Sequence, residues 1–297
     1  MAEIRPPAVA GRFYERSRGA LAESLAWCFT HELGPGRLPE VNPDGPERML
    51  ALVSPHAGYV YSGPAAAHGF AALAADGIPD LVVLLGPSHY VSDRRAAVSP
   101  AEAWRTPLGE VPVDRGLCEQ LLAESDLLVA DAVTHASEHS LEVQVPFLQY
   151  VYGDRVPSLV PICLRAPPWD ETEGLVAEAT ALGQTLARVT ADRRVVVIAS
   201  TDLSHQVPQE FAERQDRLAV EAMLALDPGG LLRTVAAHRI SACGPVAVAV
   251  ALSFCLARDG GAAELLRYYT SGDISGERTR VVGYASLVIR REGEAKP

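Results

Sequence analysis

The chain has 297 residues, with 26 Lys plus Arg against 37 Asp plus Glu, a net charge of −11. Its 48% hydrophobic and 21% charged content is that of a globular protein and excludes disorder as the main state. The acidic balance argues against nucleic acid, whose phosphate backbone is bound through Lys and Arg.

In chain order, the opening MAEIRPPAVAGRFY lacks the apolar core of a signal peptide. The five cysteines, Cys28, Cys118, Cys163, Cys243 and Cys255, are an odd number with no C-x-x-C spacing. A reduced, cytoplasmic setting is therefore expected. Residues 34–46 are rich in Pro and Gly and read as a surface loop. The apolar run at 49–53 ends at Ser54-Pro55-His56-Ala57-Gly58-Tyr59, and the run at 81–85 ends at Gly86-Pro87-Ser88-His89-Tyr90. A third, at 195–199, ends at Ser200-Thr201-Asp202-Leu203-Ser204-His205. Short, uninterrupted apolar runs suit strands buried on both faces. Residues 159–164 and 281–289 read as further strands.

Helices are expected between them. One covers 64–75 with Pro64 in its first turn, and one covers 173–189. A third covers 209–226 and stops at Asp227-Pro228-Gly229-Gly230. Residues 139–146 fit a strand by Leu141, Val143 and Val145, or a helix by Leu141, Val145 and Leu148; Pro146 disfavours a long uninterrupted helix. The uncharged stretch 240–257 contains Gly244-Pro245, a helix start. A helix over 245–257 would be roughly 20 Å long at ~1.5 Å per residue, too short for a bilayer, so a buried core helix and no membrane contact are expected. Alternating strands and helices make the chain α/β. With no repeat or second composition regime, one domain over 1–297 is expected.

His56, His89 and His205 each follow the carboxyl end of a predicted strand, where open α/β sheets bind their ligands. If the strands are parallel neighbours, the imidazoles converge. Their spacing is neither H-E-x-x-H nor a closed Cys/His zinc pattern, and it names no metal. Cys243 precedes the helix start at Gly244-Pro245, where backbone N–H groups and the helix dipole favour a thiolate. A small buried hydrophobe is the alternative, and is the reading for the other four cysteines. Asp202 can orient a metal-bound imidazole, accept a proton or cap a turn. Glu138 and Glu142 flank His139 and equally suit a solvated helical face. His31, His68, His135 and His238 are left to structure or solvent.

These motifs, with Glu138-His139-Ser140-Leu141-Glu142, Ala242-Cys243-Gly244, the opening 5–14 and the closing Val282-Gly283-Tyr284-Ala285, resemble in order those of the Memo (mediator of cell motility) family. Its prokaryotic branch is labelled AmmeMemoRadiSam system protein B. The resemblance implies a single three-layer α/β domain, a mostly parallel or mixed central sheet flanked by helices, like class III extradiol dioxygenases. It further implies metal ligands His56, His89 and Cys243, with His205 and Asp202 as catalytic groups. Glu138, His139, Glu142, Tyr59 and Ser88 would surround them, with Tyr59 or Tyr61 lining the pocket. The dioxygenases hold iron with two His and one carboxylate, whereas here a thiolate would be the third ligand, suiting iron, copper(I) or zinc.

Three functions compete. The first is an iron- or copper-dependent oxidoreductase acting on a small phenolic substrate, with no nucleotide cofactor. The second is a metal-free hydrolase using Cys243 as nucleophile. The third, from the description of animal members of the family, is a phosphopeptide-binding adaptor. Radical-SAM and AMMECR-type proteins are the macromolecular partners the resemblance suggests.

Overall fold

A computed structural model describes residues 3–90, 94–165 and 169–292. The chain opens with β1 (Ile4–Arg5) and α1 (Arg18–Thr30), then β2 (Met49–Ser54), α2 (Tyr59–Asp76) and β3 (Leu81–Pro87). Short strands β4 (Ala96–Val98), β5 (Ala103–Thr106) and β6 (Gly109–Pro112) lead to α3 (Arg115–Glu124), β7 (Leu128–Ala130) and α4 (Ala132–Ala136). A 3-10 turn at Glu142–Gln144 feeds α5 (Val145–Tyr152), followed by β8 (Ser158–Leu164), α6 (Thr172–Val189) and β9 (Val195–Ser200). The remainder is β10 (His205–Val207), α7 (Gln209–Leu224), α8 (Pro228–His238), α9 (Pro245–Leu256), β11 (Gly260–Thr270), α10 (Ser271–Ser275) and β12 (Val281–Arg291).

The large sheet is mixed, in the order β10-β12-β2-β9-β3-β8-β4-β7, with β11 also paired to β12. Its centre, β2-β9-β3-β8, is parallel, and β12 and β4 join antiparallel on either side. Every residue of β2, β3 and β9 is buried, although their side chains alternate in direction, so both faces are covered. The uncharged, almost wholly apolar α9 lies on β2, β9 and β3, with α6 and α8 packed against it. A second group, α2 with α1 and α5, packs on β2, β11 and β12, joined by the stacked rings of Phe70 and Phe147. A small sheet, β1-β5-β6, carries the first strand of the chain. Among the described residues, no helix is long and apolar enough to cross a membrane.

Three local expectations are changed and one open alternative is resolved. α2 begins at Tyr59, not Pro64, because Gly58 caps it and the N–H groups of Tyr61 and Ser62 already donate to the Gly58 carbonyl. Pro64 therefore sits inside the helix; the carbonyl it leaves free is that of Val60, on an exposed residue where water can reach it. α7 stops at Leu224, and Leu226 turns the chain with φ 54°. Asp227-Pro228-Gly229-Gly230 is the start of α8 as well as a stop: the Asp227 carboxylate accepts from the Gly230 N–H, and Pro228 occupies the first helical position. The ambiguous 139–146 resolves as the 3-10 turn running into α5, with Pro146 in the first turn, where a missing N–H costs nothing.

Candidate metal centre

Because β2, β9 and β3 are parallel neighbours, their carboxyl ends share one rim. His56 follows β2, His89 follows β3, and Asp202 and His205 follow β9. A fourth segment, 138–144, is fastened to this rim by side chains. Ser140 Oγ donates to the Pro87 carbonyl at 2.8 Å, and Gln144 Nε2 donates to the Pro55 carbonyl and to Ser200 Oγ, both at 3.0 Å. Cys243 arrives from the start of α9, where its N–H donates to the Asp202 carbonyl and that of Gly244 to Thr201 Oγ1.

One ring nitrogen each from His56, His89 and His139 lies within 4.8 Å of the other two. The tautomers follow from their partners. Ser200 Oγ spends its hydrogen on the Ser140 carbonyl at 2.6 Å, so at 2.8 Å it accepts from His56 Nδ1–H. His89 Nδ1 donates to Glu138 Oε1 at 2.9 Å, and His139 Nδ1 is 3.3 Å from the same oxygen. The lone pair of His56 and of His89 is thereby left on Nε2. Cys243 Sγ is 3.1 Å from His56 Nε2 and accepts from the Asp202 N–H at 3.1 Å.

Burial holds the His56 imidazole well below the usual histidine range, and the neighbouring His139, His89 and His205 add to this. Burial, then His89, brings His139 down to about 4. Neutral imidazoles are the form that ligates metal. Burial alone would raise Glu138, but the hydrogen bonds and charge of His89 outweigh it and take the carboxyl to about 2. Asp202 is raised, by burial, against the opposing pull of His205 and the His56 N–H. Burial also pushes the Cys243 thiol up, with Asp202 adding, which overturns the expectation that the helix start depresses it.

The Memo-like protein family model matches residues 5–288. The chain belongs to the Memo family. A MEMO1 family protein of Methanopyrus kandleri is 43% identical over 289 residues, 97% of this chain and 99% of that protein. One from Thermotoga maritima is 41% identical over 287 residues, 96% and 99% of the two chains. Among solved structures, an uncharacterized protein of Escherichia coli K12 matches with a TM-score of 0.51 at 14% identity, over 81% of this chain and 100% of that one, a likeness of fold.

In this Memo-family chain the residues singled out from sequence separate by position. The imidazoles that come together are those of His56, His89 and His139, while Cys243 reaches His56; Glu138 lies against the Nδ1 atoms of His89 and His139. His139, expected only in the surroundings, brings its ring to the centre; the signal was a histidine flanked by two acidic residues that turn out not to be solvated. Glu142 is buried too, but faces away: it accepts from Arg5 Nη1 at 2.6 Å, the N–H groups of Ala8 and Val9, and Tyr14 Oη. It anchors the N-terminal segment, whose Phe13 ring lies 4.4 Å from that of His139. Tyr59 is pinned by its hydroxyl to the Val143 carbonyl at 2.6 Å and presents little surface, whereas Tyr61 is exposed. Ser88 caps its own loop, donating to the Tyr90 carbonyl. His205 stands at the edge, its Nε2 3.9 Å from Asp202 Oδ2. Of the histidines left aside, His135 is structural: it is buried and bonded to the Ala97 carbonyl.

Proposed function

We propose that this Memo-family protein is a metal-dependent oxidoreductase that binds iron or copper through His56, His89 and Cys243 and acts on a small phenolic substrate. The observation that carries the reading is the grouping of three imidazoles at the carboxyl rim of parallel strands, with the Cys243 thiol 3.1 Å from one of them, His56. This donor set fits the group: nitrogen and sulfur suit iron, copper or zinc rather than magnesium or calcium. His139 offers a third nitrogen, within 4.8 Å of those of His56 and His89. A bound iron or copper ion would supply redox capacity and Lewis acidity toward a substrate oxygen.

The chain's own groups supply the rest. His205 Nδ1 faces the carbonyls of Leu203 and Ser241 at 2.7 and 2.8 Å, so it carries the hydrogen and Nε2 is the basic atom. That atom can take a proton from a phenolic hydroxyl and return it. Asp202 holds the His56 N–H at 2.8 Å with one oxygen and turns the other toward His205. A cleft of about 490 Å³ has Arg12, Phe13, Trp27 and Tyr61 in its walls and reaches the centre only through the contact of Phe13 with His139; its size suits a small aromatic molecule.

Metal analysis after anaerobic loading with iron(II) or copper(I), followed by oxygen-uptake assays with catechols, tests the reading. Wild type retains near-stoichiometric metal, His56→Ala and Cys243→Ser lose it, and His205→Ala keeps the metal while losing turnover. Wild type that holds no metal sinks it.

A further inference from the structure

A second cleft, of about 430 Å³, lies between α7 and β11, with none of His56, His89 and His139 in its walls; His68 bonds to the carbonyl of Leu33, which lines it. Glu213, Arg217 and Val220 recur at helical spacing and present one face of α7. Opposite, β11 carries one extra residue, Leu266, between its pairings Leu265–Leu287 and Arg267–Ser286; such a bulge re-aims the side chains around it. Leu265, Arg267, Tyr268 and Tyr269 all reach the cleft.

We propose that this cleft binds a small organic carboxylate with an apolar body, its charge seated on Arg217 and Arg267. Arg267 is partly buried, where a guanidinium is ordinarily paired, and Arg217 is exposed. Yet among the described residues neither guanidinium makes a hydrogen bond or ion pair, and Arg267 Nε is buried with no acceptor. An unmet buried donor costs free energy that an incoming anion removes. The two carboxylates in the cleft are engaged elsewhere: Glu213 accepts from Gln209 Nε2 at 2.9 Å, and Asp273 from the Thr270 N–H at 2.8 Å. The tyrosine hydroxyls are likewise turned into the protein, Tyr268 to Asp216 and Tyr269 to the Tyr61 carbonyl. Their rings, with Leu265 and Val220, form an apolar wall beside the cations. The volume is that of small-molecule sites.

Isothermal titration of the full chain with phenylacetate tests this. Wild type binds, while Arg267→Gln and Arg217→Gln each weaken binding about tenfold or more, as expected for loss of a charge-assisted contact. His89→Ala binds as wild type does, and inorganic phosphate competes for the seat. Circular dichroism of the arginine variants shows whether the fold is kept; the neutral isostere phenylacetamide gives the same answer on wild type without any substitution. Phenylacetamide binding as well as phenylacetate, no phenylacetate binding at all, or binding abolished by His89→Ala overturns the proposal.

Discussion

Glu138 accepts from the N–H groups of His89, His139 and Ser140 and from the His89 ring, so one buried carboxylate sets two of the three imidazoles. Glu138→Gln keeps the volume but places an amide NH₂ against N–H donors. Metal affinity is expected to fall roughly 10–100-fold, the usual cost of losing a group that orients a ligand. A competition titration against a chromogenic chelator reads it, and unchanged affinity would remove Glu138 from the site. His135 offers a test by pH. Burial takes its pKa to about 4, against an unfolded value near 6.5. Between those values the unfolded chain binds the proton first, so stability is full above pH ~6.5 and is lost as pH falls toward ~4, by on the order of 3 kcal/mol. His56 and His139 act with the same sign. The urea midpoint should drop between pH 7.5 and pH 5, and His135→Gln should flatten that drop. What was legible at this scale was whatever a strand end announces: His56, His89 and, at a helix start, Cys243. His139 and the anchoring role of Glu142 were not, because docking contacts far along the chain, to Pro87, Ser200, Arg5 and Tyr14, decide where they point.

At the level of elements, the buried strands and the apolar α9 could be read directly, since an uninterrupted apolar run has few other uses, whereas the parallel pairing of β2, β9 and β3 stood only as a condition. Helix ends were harder. Asp, Pro and Gly serve both stops and starts, and only the Asp227 cap shows that 228–238 is a helix. The start of α9 illustrates how an element delivers a functional group. A Cβ on Gly244 would come within 2.4 Å of the Ser200 carbonyl, so only glycine lets α9 approach the end of β9 this closely. Gly244→Ala should push the helix start away, separate Cys243 from His56, and lower metal retention while leaving the helical circular dichroism intact. Retention equal to wild type would show that Cys243 does not depend on that approach.

Across the whole molecule, the N-terminal segment is tied to the centre by a buried ion pair. Arg5 and Glu142 meet at 2.6 Å, with Arg5 also donating to the carbonyls of His135 and Glu138 and stacking on Trp104. Glu142→Gln leaves the arginine charge buried with neutral partners alone, and should cost roughly 3 kcal/mol in urea unfolding. A change under about 1 kcal/mol would mean that the carbonyls and the indole face suffice. The strand order carries a further consequence, for the making of the protein. β2, apolar along its length, lies between β9 and β12, both of which come much later in the chain. On a ribosome adding about 5–20 residues per second, it emerges many seconds before either neighbour exists. Until β12 arrives, the strand that leads to His56 has an open edge of the kind that invites pairing with other chains.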